Sequence, residues 1–319
     1  MGITSIAIMN NAVTQKLKDV DLKNMAKAVA ATIEGRIDRA VDASLLLAND
    51  PTVINWVESK DQDDLSGENV HQKMGELVNG LGYNTAFLTS ALTKHYWSYN
   101  KKEFKLVDVV SEDDPADFWF FESLKMKMKY EINIDYNKEL KDTFVWINVL
   151  VGPIDDPIAI SGTGMNLDAV TDDLIKEDSQ RQFKNDIWLV DKQGVIYLSK
   201  NQEDIEKNIS EYMSDHLLKE MNEVNQGGDG FDTSEYKNEE GERYDLVYKK
   251  IGNTDWRLII QIPRSESLGF LNVVIVNTII ACVIIIIIIV ILFNLLSNRI
   301  ANPYKRALVL NQELEKKIS

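Results

Sequence analysis

The stretch from Phe270 to Leu296, FLNVVIVNTIIACVIIIIIIVILFNLL, constrains this chain more than any other. No Asp, Glu, Lys or Arg lies between Glu266 and Arg299, and Ile284–Ile289 are all isoleucine. As a helix rising about 1.5 Å per residue, the stretch is roughly 40 Å long, against about 30 Å of bilayer hydrocarbon. It can span with tilt to spare. A transmembrane helix is therefore expected over residues 268–297, with Cys282, the only cysteine, as an apolar filler.

Charge divides the chain around that span. Lys and Arg number 35 and Asp and Glu 50, a net charge of −15. The tail after the span is net basic, through Arg299, Lys305, Arg306, Lys316 and Lys317 against Glu313 and Glu315, so the acidity belongs to what precedes it. The basic bias near the two ends of the span is slight. The stronger orientation argument is a long acidic domain before the span and a short basic helix after it. Residues 13–266 are expected outside a cell (inner) membrane, and 298–319 form a cytoplasmic linker helix. An acidic bulk excludes nucleic acid as partner, since phosphates need a basic face. A single cysteine excludes an intrachain disulfide, and three scattered histidines, His71, His95 and His216, predict neither a metal centre nor any other cofactor. Walker, HExxH and GxSxG patterns are missing, and Ser161-Gly162-Thr163-Gly164 fails the dinucleotide pattern at its third glycine. No catalytic residue is expected, and an ectodomain hydrolase lacks a nucleophile–base pair.

Met1 to Gln15 is uncharged but too short to span. It has neither the basic start nor the cleavage site of a signal peptide. Residues 1–12 are expected to be the remnant of a first transmembrane helix. Val13, Leu17, Val20, Met25, Val29, Ile33, Ile37, Val41 and Leu45 recur mostly four apart, which predicts one amphipathic face. The amphipathic helix is expected from Val13 to Asn49, closing at Asp50-Pro51 because a residue before proline avoids helical angles, within a long stalk helix segment assigned to 13–57. It suits a spine for two domains or a coiled-coil dimer.

After Tyr83 the texture changes to short strands. TAFLTSALT and HYWSYN read as a hairpin, and KLVDVV follows. DPADFWFFESLKMKMK reads as a short helix. YEINIDYN and TFVWINVLV alternate as strands around a turn at 138–141, PIAISGTGMNL is another strand, and Asp168 caps a helix. The pattern then recurs. NDIWLVDKQGVIYLS is a hairpin, a polar helical region follows, and RYDLVYKKI and WRLIIQIP are further strands. Two mixed units of this kind, 58–168 and 169–266, indicate a duplicated domain.

The run DIWLVDKQGVIYLSKNQEDIEKNIS, then GGDGF, then RYDLVYKKIGNTDWRLIIQIPRSE and a span, resembles the membrane-proximal half of a double Cache (dCache) sensor. The resemblance implies an α+β fold: a long N-terminal helix beside two tandem PAS-like modules, followed by a transmembrane helix. It implies an extracytoplasmic small-molecule sensor in a bacterial or archaeal receptor, a homodimer whose output is a histidine kinase, a diguanylate cyclase or a chemoreceptor rod. A structural or adhesion ectodomain using the same fold without a small ligand is the alternative.

A pocket needs aromatic walls and a few polar groups, and Tyr96 to Asn148 supplies both. The expected ligand-binding residues are Trp97, Asp117, Trp119, Phe120, Tyr130, Asp135, Asp142 and Trp146. The resemblance implies that Trp119-Phe120 is the family's aromatic pair, with Tyr130 and Asp142 as its later positions. Amino-acid-binding members place an arginine two residues before that pair, and this chain has Asp117 there. An acidic aromatic pocket favours an amine or another small polar ligand over an α-amino acid gripped by arginine.

Overall fold

The computed structural model describes residues 15, 17–100, 103–137, 142–167, 185–214, 217–219, 221, 230–238 and 240–318. The remnant at 1–12, the turn at 138–141, the helix begun by Asp168 and His216 lie outside them. The described residues up to Arg264 form one unit and those from Ser265 onward form another.

A π-helical turn, Leu17–Leu22, leads into helix α1, Lys23–Ala48. The four-residue period is what buries Val29, Ile33, Ile37 and Val41, and Ala26, Ala30 and Ala40 let the backbone approach the sheets behind them. Val20, expected on the same face, is 43% exposed. The stalk is not one helix to residue 57. Asp50-Pro51 ends α1 and also begins helix α2, Pro51–Glu58, where the Asp50 carboxylate accepts from the Thr52 amide at 2.8 Å. Proline at the first helical position loses no hydrogen bond, so the same dipeptide serves as stop and start. Helix α3, Asp64–Gly75, follows, capped by Asp63.

The first sheet has six strands: β1 Thr85–Ser90, β2 His95–Asn100, β3 Phe104–Val109, β4 Tyr130–Asn137, β5 Asp142–Val151 and β6 Ala159–Asn166. Their spatial order is β3-β2-β1-β6-β5-β4, with every pairing antiparallel. Between β3 and β4 lies the short helix α4, Phe118–Ser123. The second sheet has β7 Asp186–Val190, β8 Ile196–Ser199, β9 Asp232–Lys237, β10 Arg243–Lys250 and β11 Arg257–Pro263, in the order β8-β7-β11-β10-β9. With the extra edge strand β3 set aside, the two orders are the same. In each, a hairpin lies beside the last of three further strands, and the first of those three forms the far edge. That shared order is the duplication expected from the recurring texture.

Strand alternation gives each sheet two faces. Val145, Ile147 and Val149 of β5 join Ile187, Leu189, Leu258 and Ile260 of the second sheet in one core that runs along α1. The Ser44 and Thr163 hydroxyls bond at 2.9 Å, tying α1 to β6. The Glu34 carboxylate accepts from Lys249 Nζ at 2.7 Å and from the Gly252 amide at 3.0 Å, tying α1 to the second module.

After β11 the chain enters helix α5, Arg264–Ile318. Its first residue is clamped. Arg264 Nε donates to Asp245 Oδ2 at 3.1 Å, and Nη2 donates to Asp245 Oδ1 and to Glu235 Oε2. Asp245 is fully buried. Val273–Lys317 of α5 is long and apolar enough to cross a membrane.

Candidate functional site

The opposite face of the first sheet carries a cavity of about 360 Å³ lined by Phe87, Tyr96, Trp119, Asn133, Asp135, Trp146 and Asn148. Phe87 is buried on β1 and forms the floor. The rings of Tyr96, Trp119 and Trp146 stand 6.2, 5.9 and 6.1 Å from it, all edge-on. Trp119 enters from α4, and Tyr96 and Trp146 rise from β2 and β5. Burial pushes the Tyr96 hydroxyl up to about 12, so it stays protonated at neutral pH and keeps a hydrogen to donate.

One wall is polar. Asn148 Nδ2 donates to Ser123 Oγ and to Glu131 Oε1, both at 3.2 Å, and Asn133 Nδ2 donates to the same Glu131 oxygen at 3.2 Å. Asn148 has both N–H groups engaged and offers its oxygen, which accepts, while Asn133 offers its oxygen and one remaining N–H. Asp135 adds a carboxylate on the exposed side of β4. Among the described lining residues there is no Lys or Arg.

Of the eight expected residues, Trp119, Asp135 and Trp146 meet in this cavity. Asp142 opens β5, and its side chain lies outside the described residues. The other four lie elsewhere, each for a physical reason. Trp97 follows Tyr96 on β2, so alternation sends it to the helix-covered face, where it stacks on Phe104 at 5.2 Å and donates Nε1–H to Asp61 at 3.3 Å. Tyr130 shares its side of β4 with Ile132 and Ile134 and packs against the main core. Phe120 is fully buried with Val110, Leu150 and Ile160. Asp117 is 7% exposed, and its carboxylate accepts from the Ser111 amide at 2.8 Å, bracing the loop before α4. Phe87, Tyr96, Asn133 and Asn148 are not among the eight expected residues. Parity along EINID would have found Asn133, which shares a face with Asp135. No sequence signal points to Phe87, which lies far upstream.

The second module holds a cavity of only about 50 Å³, beside Gly194 and Arg257. A groove of about 390 Å³ runs between α1 and α3, but its Asp50 and Lys73 already pair at 2.7 Å. Among these, the aromatic cavity alone combines enclosure with uncommitted acceptors.

No family model matches the chain. Its architecture does match solved structures. The chain is similar to the periplasmic sensory domain of the Campylobacter jejuni chemoreceptor Tlp1, with a TM-score of 0.59 over 80% of this chain and 98% of that one, at 14% identity. The sensory domain of Campylobacter jejuni Tlp3 with isoleucine bound gives 0.58, over 81% and 97%, at 15% identity. The ligand-binding domain of the Pseudomonas aeruginosa amino-acid chemoreceptor PctC in complex with GABA gives 0.54, over 75% and 97%, at 12% identity. The fold is a double Cache fold.

In this double Cache chain the SGTG segment is a packing device. Gly164 on β6 pairs with Trp146. A Cβ on Gly164 would lie 2.5 Å from Trp146 Cζ3 and 2.7 Å from Thr85 Cγ2, so only glycine lets the indole lie down on the sheet. Gly164→Val is expected to force Trp146 into the cavity. Ligand titration would then show at least a tenfold loss of affinity while far-UV circular dichroism stays unchanged; unaltered affinity would contradict this placement of the ring.

Proposed function

We propose that this chain is the extracytoplasmic sensory region of a transmembrane signal-transduction receptor, and that its aromatic cavity binds a small ammonium-bearing ligand. In this reading residues 13–266 face outward from the cell membrane, 58–168 form the module farther from it, and 298–319 lead toward a kinase, cyclase or chemoreceptor output. The observation that carries the ligand class is the cavity wall. It combines aromatic faces, amide oxygens and the Asp135 carboxylate, with no basic side chain among the described lining residues. Aromatic faces attract cations, and acceptors complete the shell of an ammonium group. A free carboxylate would meet no counter-charge. Lys125 is exposed and pairs with Glu122 at 2.7 Å, and Lys127 is exposed.

Signalling follows from two arrangements of the sensory unit. A ligand that prefers one shifts the balance by no more than its difference in affinity. The test is calorimetry of the full chain in nanodiscs against choline, ethanolamine, putrescine, leucine and GABA. Binding of the amines lacking a carboxylate, lost by tenfold or more in Trp119→Ala, is the expected result. Binding of only the amino acids would refute the ligand class. Binding of none, with Trp119→Ala equally inert, would favour a structural ectodomain.

A further inference from the structure

The apolar stretch of α5 is not uniform around its circumference. Starting at Asn277, alternating steps of three and four residues reach Ile280, Ile284, Ile287, Ile291 and Asn294, and one further step reaches Asn298. These are the inner positions of a seven-residue repeat, which on a slightly supercoiled helix form one continuous seam. All three asparagines between Val273 and Arg299 fall on it.

Asparagine in hydrocarbon needs a partner. Asn277 lies six residues from Val283, the midpoint of Val273–Phe293, which is about 9 Å along a helix and inside a core whose half-thickness is roughly 15 Å. Thr278, its neighbour, solves the same problem within its own helix by donating to the Val274 carbonyl at 2.7 Å. An asparagine amide bonded back to its own helix in this way would still leave its oxygen and a second N–H without partners. Among the described residues no hydrogen bond is made by the side chains of Asn277, Asn294 or Asn298. Asn294 and Asn298 lie at the tail-side boundary, where the same need weakens.

We propose that this seam pairs with the same seam of a second copy, in parallel. The asparagines choose the occupant. A carboxamide carries one donor group and one acceptor, so its complement at equal depth is another carboxamide, and a parallel second copy presents Asn277 opposite Asn277 and Asn294 opposite Asn294. Between them, four isoleucines provide the packed contacts on which helix association in lipid depends. Asn277 also fixes the register, since a slide by one turn would leave its amide facing an aliphatic side chain. The inference rests on the span and not on the ligand cavity, so the two fail separately.

The test uses the full chain with Cys282→Ala, which clears the background because Cys282 is the only cysteine. Single substitutions Ile284→Cys, Ile287→Cys and Ile291→Cys on the seam are compared with Ile285→Cys, Ile286→Cys and Ile289→Cys off it, in lipid vesicles under a copper-based oxidant. Seam variants should form disulfide dimers at least fivefold faster, with maxima recurring every three to four residues. Maxima at Ile285 and Ile289, or equal rates everywhere, overturn the seam. A probe at residues 5–12 that crosslinks to the seam in place of the second copy assigns the face to the chain's own N-terminal segment and also overturns it. Asn277→Leu should weaken dimerisation, read by energy transfer between labelled copies, several-fold, and Asn277→Gln should restore it. Equal energy transfer for Asn277→Leu and the parent would remove the asparagines' role.

Discussion

Asp135→Asn is expected to weaken binding of a cationic ligand about fivefold while leaving the fold intact. The substitution keeps the shape and exchanges a carboxylate for a neutral amide. A charge-assisted hydrogen bond exceeds a neutral one by about 1–2 kcal/mol. Asp135 lies on the exposed side of β4, so water and salt screen it and the lower end applies. Calorimetry at two ionic strengths separates the contributions. The difference between parent and variant should shrink in high salt, whereas the loss caused by Trp119→Ala should not, because ring contact is short-ranged. Identical affinities for parent and Asp135→Asn would mean that the aromatic rings hold the ligand unaided.

Arg264→Ala is expected to be the most destabilising surface-proximal change in the chain, by about 3–5 kcal/mol. The guanidinium meets both oxygens of Asp245, which is fully buried on β10, and also reaches Glu235 on β9. Truncation leaves a buried carboxylate without its bidentate partner, the costly half of a broken ion pair. For a sensory unit of this size the melting temperature should fall by roughly 10 °C. Arg264→Lys keeps the charge but loses the two-pronged geometry, and should fall between. A loss under 1 kcal/mol in thermal melting at pH 7 would show that Asp245 is satisfied by other groups. Since Arg264 opens α5, the same variant is also expected to uncouple ligand binding from any response at the tail.

Much of the architecture is legible in the sequence because periodicity is local. The uncharged isoleucine-rich run, the four-residue spacing of α1 and the alternation of EINID and FVWINV each report on a few neighbouring residues. Helices α2 and α3 were not expected. Asp50-Pro51 terminates one helix and starts the next, and its first role hid its second. At the site, composition located the correct stretch but could not assign faces. Tyr96 and Trp97 are adjacent, yet one lines the cavity and the other stacks under the helices. Asp117 illustrates a different limit. Its acidity is plain in the sequence, but its engagement by the Ser111 amide depends on a loop path that no local pattern encodes. Phe87, the floor of the cavity, enters only when β1 is placed beside β2 and β6.

β4 is hydrogen-bonded to β5 alone and forms one border of its sheet. The acceptors Asn133 and Asp135 therefore sit on a border ribbon of the sheet, while Phe87, Tyr96 and Trp146 rise from strands paired on both sides. A guest bridging the two would act as a temporary extra stitch along that border. Amide-exchange protection from Glu131 to Asp135 would then report occupancy before any event at the membrane is measured.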